Sequence, residues 1–398
     1  WLHDSAKSGS IKAAPHRARR YLGTVSGGSK RQDMLYVLPA ISVSFQKQSA
    51  NATVTSKNDT YKLDGARFDI YESAGDKRVG SIQMDGNGRA QATLLPNTAY
   101  YLVETKAPAG YLLRSDRITF STGNNGGHVV IDEQPGTITL RIAKVDAATG
   151  AGPQFGTSLA GAEFTCVSQS TPGWTHTLTT DEDGRATLTD IPLGTFTIYE
   201  SKAPEGYLPS DETWSYTVGA DQLGDMGVVE LESRIPDIPI AFDLEISKFK
   251  DYGKSDESGI EQPADGVVFE VVSNSSQQVV GTLTSNIYGF ASTKDLTKAW
   301  FGVGERPDGV HGTIPYDRAG YTVREVANTV PEGFKQTGEW TITAEQIADG
   351  AELQYIVDNH ALSTHLQIVK RDAQTGSPVP LAGFTFQLFD SNREPISQ

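Results

Sequence analysis

The chain carries nearly the same phrase twice, YYLVETKAPAGYL from Tyr100 and FTIYESKAPEGYL from Phe196, with a looser third copy, YTVREVANTVPEGF, from Tyr321. A repeat constrains the fold more strongly than any local signal. On one face of an extended strand each copy sets an aromatic, an aliphatic and a glutamate: Tyr100/Leu102/Glu104, Phe196/Ile198/Glu200 and Tyr321/Val323/Glu325. Each glutamate is therefore expected on a core face, where a lone carboxylate must be paired, neutralised or used.

A second repeated pattern precedes each copy: a strand in which two apolar residues share a face with a lysine. These are Val43/Phe45/Lys47, Leu140/Ile142/Lys144 and Leu244/Ile246/Lys248, and a fourth, Leu366/Ile368/Lys370, opens near Gln398. Downstream of each lysine a Gly-x-x-Phe strand start follows, at Gly65, Gly161, Gly266 and Gly383. The lysines are 97, 104 and 122 residues apart, the size of a small β-sandwich and too long for a solenoid repeat. The expected organisation is residues 1–34 as a linker or the end of an upstream domain, modules at 35–135, 136–235 and 236–360, and the start of a fourth, cut short, at 361–398. The third module carries a long loop at 300–320. Strands of module one are expected at 40–47, 66–72, 77–84, 89–95, 99–105, 117–121 and 128–133. Joints of a few residues, such as Gln134 to Thr137, favour a stiff array.

Composition agrees with an all-β chain: 40 glycines and 19 prolines suit many turns, and long helical periodicity is scarce. The net charge is −15, and the head concentrates the positive charge. Residues 1–34 hold Lys7, Lys12, Arg17, Arg19, Arg20, Lys30 and Arg31 against two acids, so the modules carry −20 and nucleic acid is not an expected partner. The head reads as a solvated linker. No run is long and apolar enough for a signal peptide or a membrane helix. Cys166 is the only cysteine, so no intrachain disulfide is possible, and it reads as a small core residue. His3, His16, His128, His176, His311, His360 and His365 are scattered without ligand spacing. Neither metal nor cofactor is expected.

A lysine on an apolar face should lose some of its charge, and a desolvated glutamate should gain a proton. Held against an Asn or Asp side chain, the neutral amine can attack the carbonyl while the glutamic acid polarises it and moves protons, giving an amide between side chains. Candidates on the last strand of each module are Asp132, Asp237 and Asn359, at 144 − 132 = 12, 248 − 237 = 11 and 370 − 359 = 11 residues before the next lysine. In module two, Pro236 and Pro239 crowd the candidate, and Glu230 or Glu232 lies on a more strand-like stretch. The alternative to a covalent bond is a buried salt bridge among the same groups.

The combination of ITLRIAKVDAATG (138–150), LAGAEF (159–164) and YESKAPEGYL (199–208) resembles the Cna B-type domain, the prealbumin-like SpaA module of Gram-positive pilins and surface adhesins, over roughly residues 35–398. The resemblance implies tandem immunoglobulin-like β-sandwiches, each closed by an intramolecular isopeptide bond between the lysine of the first strand and an Asn or Asp of the last, promoted by the glutamate. Carried over by motif position, the triads are Lys47/Glu104/Asp132, Lys144/Glu200/Asp237 and Lys248/Glu325/Asn359, with Lys370 the lysine of an incomplete fourth. Two triads use Asp, and the third glutamate motif lacks the Ala-Pro pair.

The implied role is a structural stalk at the Gram-positive cell surface, not an enzyme. The implied partners are a host extracellular protein or glycan through a head domain outside this sequence, and the cell wall through an anchor outside it. No membrane contact is expected within this stretch. Two other readings compete. Trp300, Phe301, His311 and Tyr316 of the long loop either offer a sugar- or peptide-stacking surface or pack the enlarged loop onto its own sandwich, the reading preferred here. A hydrolase, or the stalk of a cell-wall enzyme, would use paired carboxylates such as Asp181/Asp183 or Glu104/Asp132, although Asp181 and Asp183 sit in an ordinary turn with Gly184. Neither an LPxTG sorting signal nor a YPK pilin motif is present.

Overall fold

The computed structural model describes residues 18–22, 33–37, 40–224, 226–252, 261–294, 299–364 and 366–396. Lys7, Lys12, Arg17, Lys30, Arg31, His3, His16 and His365 lie outside these residues. Within the stretch expected to be linker, β1 (Ala18–Leu22), which carries Arg19 and Arg20, pairs antiparallel with β2 (Asp33–Val37).

Alternation of apolar and polar residues builds the first sandwich. Its strands are β3 (Ile41–Ser49), β4 (Arg67–Glu72), β5 (Lys77–Gln83), β6 (Arg89–Leu94), β7 (Ala99–Lys106), β8 (Ile118–Ser121) and β9 (Gly127–Glu133), each within two residues of the sequence expectation. They form one sheet of order β6-β3-β9 and another of order β5-β4-β7-β8. Period-2 patterning turns Val43, Phe45, Phe68, Ile70, Tyr100, Leu102 and Ile131 into the core between them. The second sandwich repeats this with β10 (Thr137–Asp146), β11 (Glu163–Ser168), β12 (Thr175–Thr179), β13 (Arg185–Pro192), β14 (Gly194–Lys202), β15 (Thr213–Val218) and β16 (Val228–Asp237), in sheets β13-β10-β16 and β12-β11-β14-β15. Cys166 on β11 is buried in that core, and burial pushes its thiol up to about 12.

The third sandwich sets β17 (Ala241–Asp251) between β25 (Glu352–His360) on one side and β18 (Gln262–Pro263), β21 (Phe290–Ser292) and β22 (Ile314–Pro315) on the other. Its second sheet has the order β20-β19-β23-β24, from β19 (Val268–Ser273), β20 (Val279–Thr284), β23 (Tyr321–Glu325) and β24 (Trp340–Ile342). In all three sandwiches the first and last strands are parallel neighbours: β3 with β9, β10 with β16, β17 with β25. The first and last strands of each module therefore lie side by side, with the chain entering at one end of the pair and leaving at the other.

The joints are tied by hydrogen bonds from the segment that follows each glutamate strand. Leu112 N–H donates to Gln134 O and Gly136 N–H to Gly110 O; Leu208 and Ile240 repeat this with Ile238 and Gly206, and Lys335 and Leu362 with His360 and Gly333. Modules also touch directly. Around the short helix α1 (Ala52–Thr55), Val54 and Tyr61 of module one join the core cluster of module two. The Tyr61 hydroxyl donates to Gly136 O (2.7 Å) and accepts from Leu193 N–H (2.8 Å).

The long loop of module three lies against module two. Val303 N–H donates to Gln154 Oε1 (2.8 Å), Arg318 N–H to Phe155 O (3.2 Å), and the buried Tyr316 hydroxyl to Glu205 Oε1 (2.7 Å). Phe301 packs on its own module's core, whereas His311 is exposed. Among the described residues, 361–364 and 366–396 form only isolated bridges, leaving Leu366 and Ile368 exposed. Lys370 is exposed too, with its Nζ over the Phe384 ring at 3.3 Å. Among the described residues no helix is long and apolar enough to cross a membrane.

Candidate functional site

Each module buries its lysine where the two sheets meet. Lys47, Lys144 and Lys248 are fully or almost fully buried, as are Glu104, Glu200 and Glu325 on the facing sheet. The glutamates stand opposite the Phe of the Gly-x-x-Phe starts, in the pairs Phe68–Glu104, Phe164–Glu200 and Phe269–Glu325. Lys47 Nζ lies 4.8 Å from the Phe68 ring centroid and Lys144 Nζ 5.1 Å from that of Phe164, so aromatic faces floor two of the sites.

A tight turn clasps each lysine from behind. Lys47, Lys144 and Lys248 donate their backbone N–H to Gly88 O, Gly184 O and Gly289 O. A side chain at Gly88 or Gly289 would start 2.6 or 2.3 Å from the lysine's own carbonyl oxygen, and both glycines have positive φ. Only glycine fits there. The leading residue of each turn, Asp85, Asp181 or Asn286, accepts two backbone N–H bonds through Oδ1. Asp181 is thus a turn former, as its sequence context indicates.

The two glutamate oxygens have separate tasks. Oε1 meets the lysine: Glu104 touches Lys47, Glu200 is 2.8 Å from Lys144 and Glu325 is 3.2 Å from Lys248. Oε2 accepts a backbone N–H from the following loop, from Arg114 (2.8 Å), Ser210 (3.0 Å) and Thr337 (2.9 Å). The carboxyl group is thereby aimed, with one oxygen left for the amine.

The third members divide. In module two Asp237 is buried and its Oδ1 contacts Lys144 Nζ. Desolvation, partly opposed by Lys144, pushes its carboxyl up to about 6. Pro236 does not disrupt the approach, because β16 is an edge strand, where proline is tolerated, and Pro239 bridges to Tyr207 beyond it. Glu230 instead pairs with Arg141 at the surface (2.7 Å), and Glu232 is exposed. In module three the buried Asn359 donates through Nδ2 to Glu325 Oε2 (2.9 Å), Lys335 O (3.0 Å) and Thr337 Oγ1 (3.1 Å). Its Oδ1 has no hydrogen-bond partner among the described residues. Burial lowers the pKa of Lys248 against the pull of Glu325.

In module one the expectation fails. Asp132 points to solvent, accepting a bond from Gln48 Nε2 (2.7 Å), while its neighbour Glu133 is buried and ion-paired to Lys47. Successive side chains of a strand alternate faces, so a one-residue error in position moves a residue from core to surface. The register makes the equivalence plain: Glu133 pairs with Ser49, Asp237 with Asp146 and Asn359 with Lys250, each two residues beyond the lysine. Glu133 also stands 144 − 133 = 11 residues before the next lysine, matching the other two intervals of 11. That spacing is the signal in the sequence that points to Glu133, and restricting the acyl donor to Asn or Asp hides it. Burial raises the pKa of Glu133, with Lys47 opposing.

Chemically, each site holds an amine, a glutamate shared between that amine and a backbone N–H, and a carboxyl or carboxamide group, all shielded from water. No group of His, Cys, Asp and Glu suited to a metal ion occurs among the described residues.

Residues 48–135 and 138–231 each match the family model for the SpaA prealbumin-like fold domain. No curated protein matches the chain. Among solved structures, the Bacillus anthracis TIE protein is similar, with 20% identity, a TM-score of 0.53, and coverage of 86% of this chain and 58% of that one. This chain thus spans less than two thirds of that protein's length. A Streptococcal ancillary pilin (15% identity, TM-score 0.27, 82% and 100% coverage) and BcpA, the major pilin subunit of Bacillus cereus (11%, 0.29, 81% and 100%), are also similar. Two matched segments with the same strand order make residues 48–135 and 138–231 two tandem domains of the SpaA prealbumin-like fold family.

Proposed function

We propose that this chain is a structural stalk of a Gram-positive cell-surface adhesin or pilin-related protein, whose modules are closed by self-made isopeptide bonds. The observation that carries the reading is the buried lysine and glutamate, with an acyl side chain two register positions beyond the lysine, occurring three times at the junction of first and last strands. In module three, Lys248 attacks the Asn359 carboxamide carbon and ammonia leaves. In module two, Lys144 attacks the Asp237 carboxyl and water leaves. Glu325 and Glu200 carry the proton from the amine to the leaving group. The reaction occurs once per site, so the chain turns over no substrate. Localisation at the cell wall, and partners of the host-protein or glycan type reached through a head domain, belong to the same proposal.

Intact mass tests the chemistry. The mature chain should be lighter than its sequence by one ammonia for module three and one water for module two, and a digest should yield fragments joining Lys248 to Asn359 and Lys144 to Asp237. A mass equal to the sequence mass would reject the cross-links. The loop at 300–320 is not favoured as a ligand site, because its Tyr316 is engaged by module two.

A further inference from the structure

We infer that module one is closed by a γ-glutamyl–lysine isopeptide bond between Lys47 and Glu133, a donor one methylene longer than the Asp or Asn of the other modules. The inference rests on the cross-linking chemistry proposed above. Four observations carry it. Glu133 occupies the register position that Asp237 and Asn359 occupy in their modules. Its side chain and that of Lys47 are both buried and in contact. Asp132, the only Asp or Asn on that strand, faces the opposite way. The flexible four-carbon arm of lysine absorbs the extra methylene without moving either strand.

Glu104 also touches Lys47, so the structure must distinguish acyl donor from proton carrier. Glu104 is held as the other two promoting glutamates are, with Oε2 accepting the Arg114 N–H at 2.8 Å. That bond aims the other oxygen of Glu104 at the amine, the arrangement of Glu200 and Glu325 in their modules. Glu133 Oε2 is buried and, among the described residues, has no partner other than the Lys47 ammonium. Its burial favours the neutral acid, the form that an amine can attack. One ammonium facing two buried carboxylates leaves an excess negative charge, opposed locally by Arg114, and amide formation removes one charge of each sign together.

The step balances without an oxidant or co-reactant. Lys47 Nζ forms a bond to Glu133 Cδ, the Cδ–OH bond breaks, and a proton from Nζ passes through Glu104 to the departing hydroxyl, which leaves as water. Peptide mass spectrometry of the full chain tests it. The expected result is a fragment containing Lys47 joined to one containing Glu133. Glu133→Gln should mature by losing ammonia to the identical linked molecule, so its intact mass should equal that of the unsubstituted chain. Glu133→Ala should lack only this loss, and Asp132→Ala should retain it. Lys47 in a linear peptide, or joined to Asp132 or Glu104, would overturn the assignment. The Lys144 and Lys248 links are read in the same digest: their presence with Lys47 unlinked rejects this bond alone, whereas absence of all three rejects the cross-linking reading as well.

Discussion

Replacing the whole triad of module two with uncharged residues separates a covalent bond from a buried salt bridge by the magnitude of its effect. Removing Lys144 alone does not, because stranding two buried carboxylates costs about 3–5 kcal/mol, and losing a cross-link costs about as much. The loop closed between Lys144 and Asp237 spans 237 − 144 = 93 residues. Treated like a disulfide of that length, closure contributes about 4.6 kcal/mol through the entropy of the unfolded chain. In the triple variant Lys144→Met, Glu200→Gln, Asp237→Val the charges go together, and the introduced carboxamide keeps an acceptor for the Ser210 N–H. If the site is only an ion pair, this exchange is neutral or stabilising by about 1–4 kcal/mol. If it is a cross-link, module two loses the full closure term. Cys166 gives a module-specific assay: it is the only cysteine, it is buried in that core, and its raised pKa keeps it an unreactive thiol until the module opens. Alkylation followed against guanidinium should show the midpoint falling by roughly 2 M, for a denaturant slope of about 2.5 kcal/mol/M. A midpoint that stays put or rises would refute the cross-link.

Three further outcomes follow from the geometry. In Lys144→Met alone, Asp237 stays a buried acid whose folded pKa is at least the value of about 6 that it has beside the lysine, against an ordinary 3.8. A folded state that binds the proton more tightly loses stability as pH rises from about 4 through 6. Module two of this variant should therefore be roughly 1 kcal/mol or more weaker at pH 7 than at pH 5 by the same alkylation assay, and the linked parent should show no such slope. Gly289→Ala should destabilise module three by about 2 kcal/mol or more, since a Cβ would sit 2.3 Å from Lys248 O on a backbone of positive φ; calorimetry would resolve it. Tyr61→Phe removes both hydrogen bonds that the hydroxyl makes across the first joint, and should cost about 1–3 kcal/mol in the coupled melting of modules one and two while leaving module three unchanged.

Strand positions, the three lysines and the three glutamates are legible in the sequence because period-2 patterning is local and each motif repeats. Asp132 is misplaced by such a reading because face is decided by a single residue of register, and VVIDEQP offers two acids side by side, Asp132 and Glu133. The correct choice is encoded only in the interval to the next module. Asp237 is undervalued for its flanking prolines, whose tolerance depends on β16 being an edge strand, a property of topology. The contacts across the joints are illegible for a different reason. Tyr61 meets Gly136 and Leu193, and Gln154 meets Val303, over separations with no local pattern to reveal them. The enlarged loop at 300–320 reads as packing on its own sandwich, which Phe301 does, whereas Val303 and Tyr316 meet the neighbouring module instead.

The placement of the proposed bonds decides what tension along the chain would do. The backbone enters module two on β10 and leaves on β16, parallel neighbours whose residues 144 and 237 carry the reacting side chains. With that bond formed, a pulling force runs along residues 137–144, crosses the amide and leaves at 237, so the 92 residues between them carry none of it. Without it, the same force shears β16 past β10, and the freed segment can extend by roughly 320 Å at about 3.4 Å per residue, less the folded span. Single-molecule extension of the full chain should therefore show no step of this size from module two, and the triple variant should add one. A parent chain that already gives the step would mean that Lys144 and Asp237 are neighbours held only by charge, and that the strands rely on their hydrogen bonds alone.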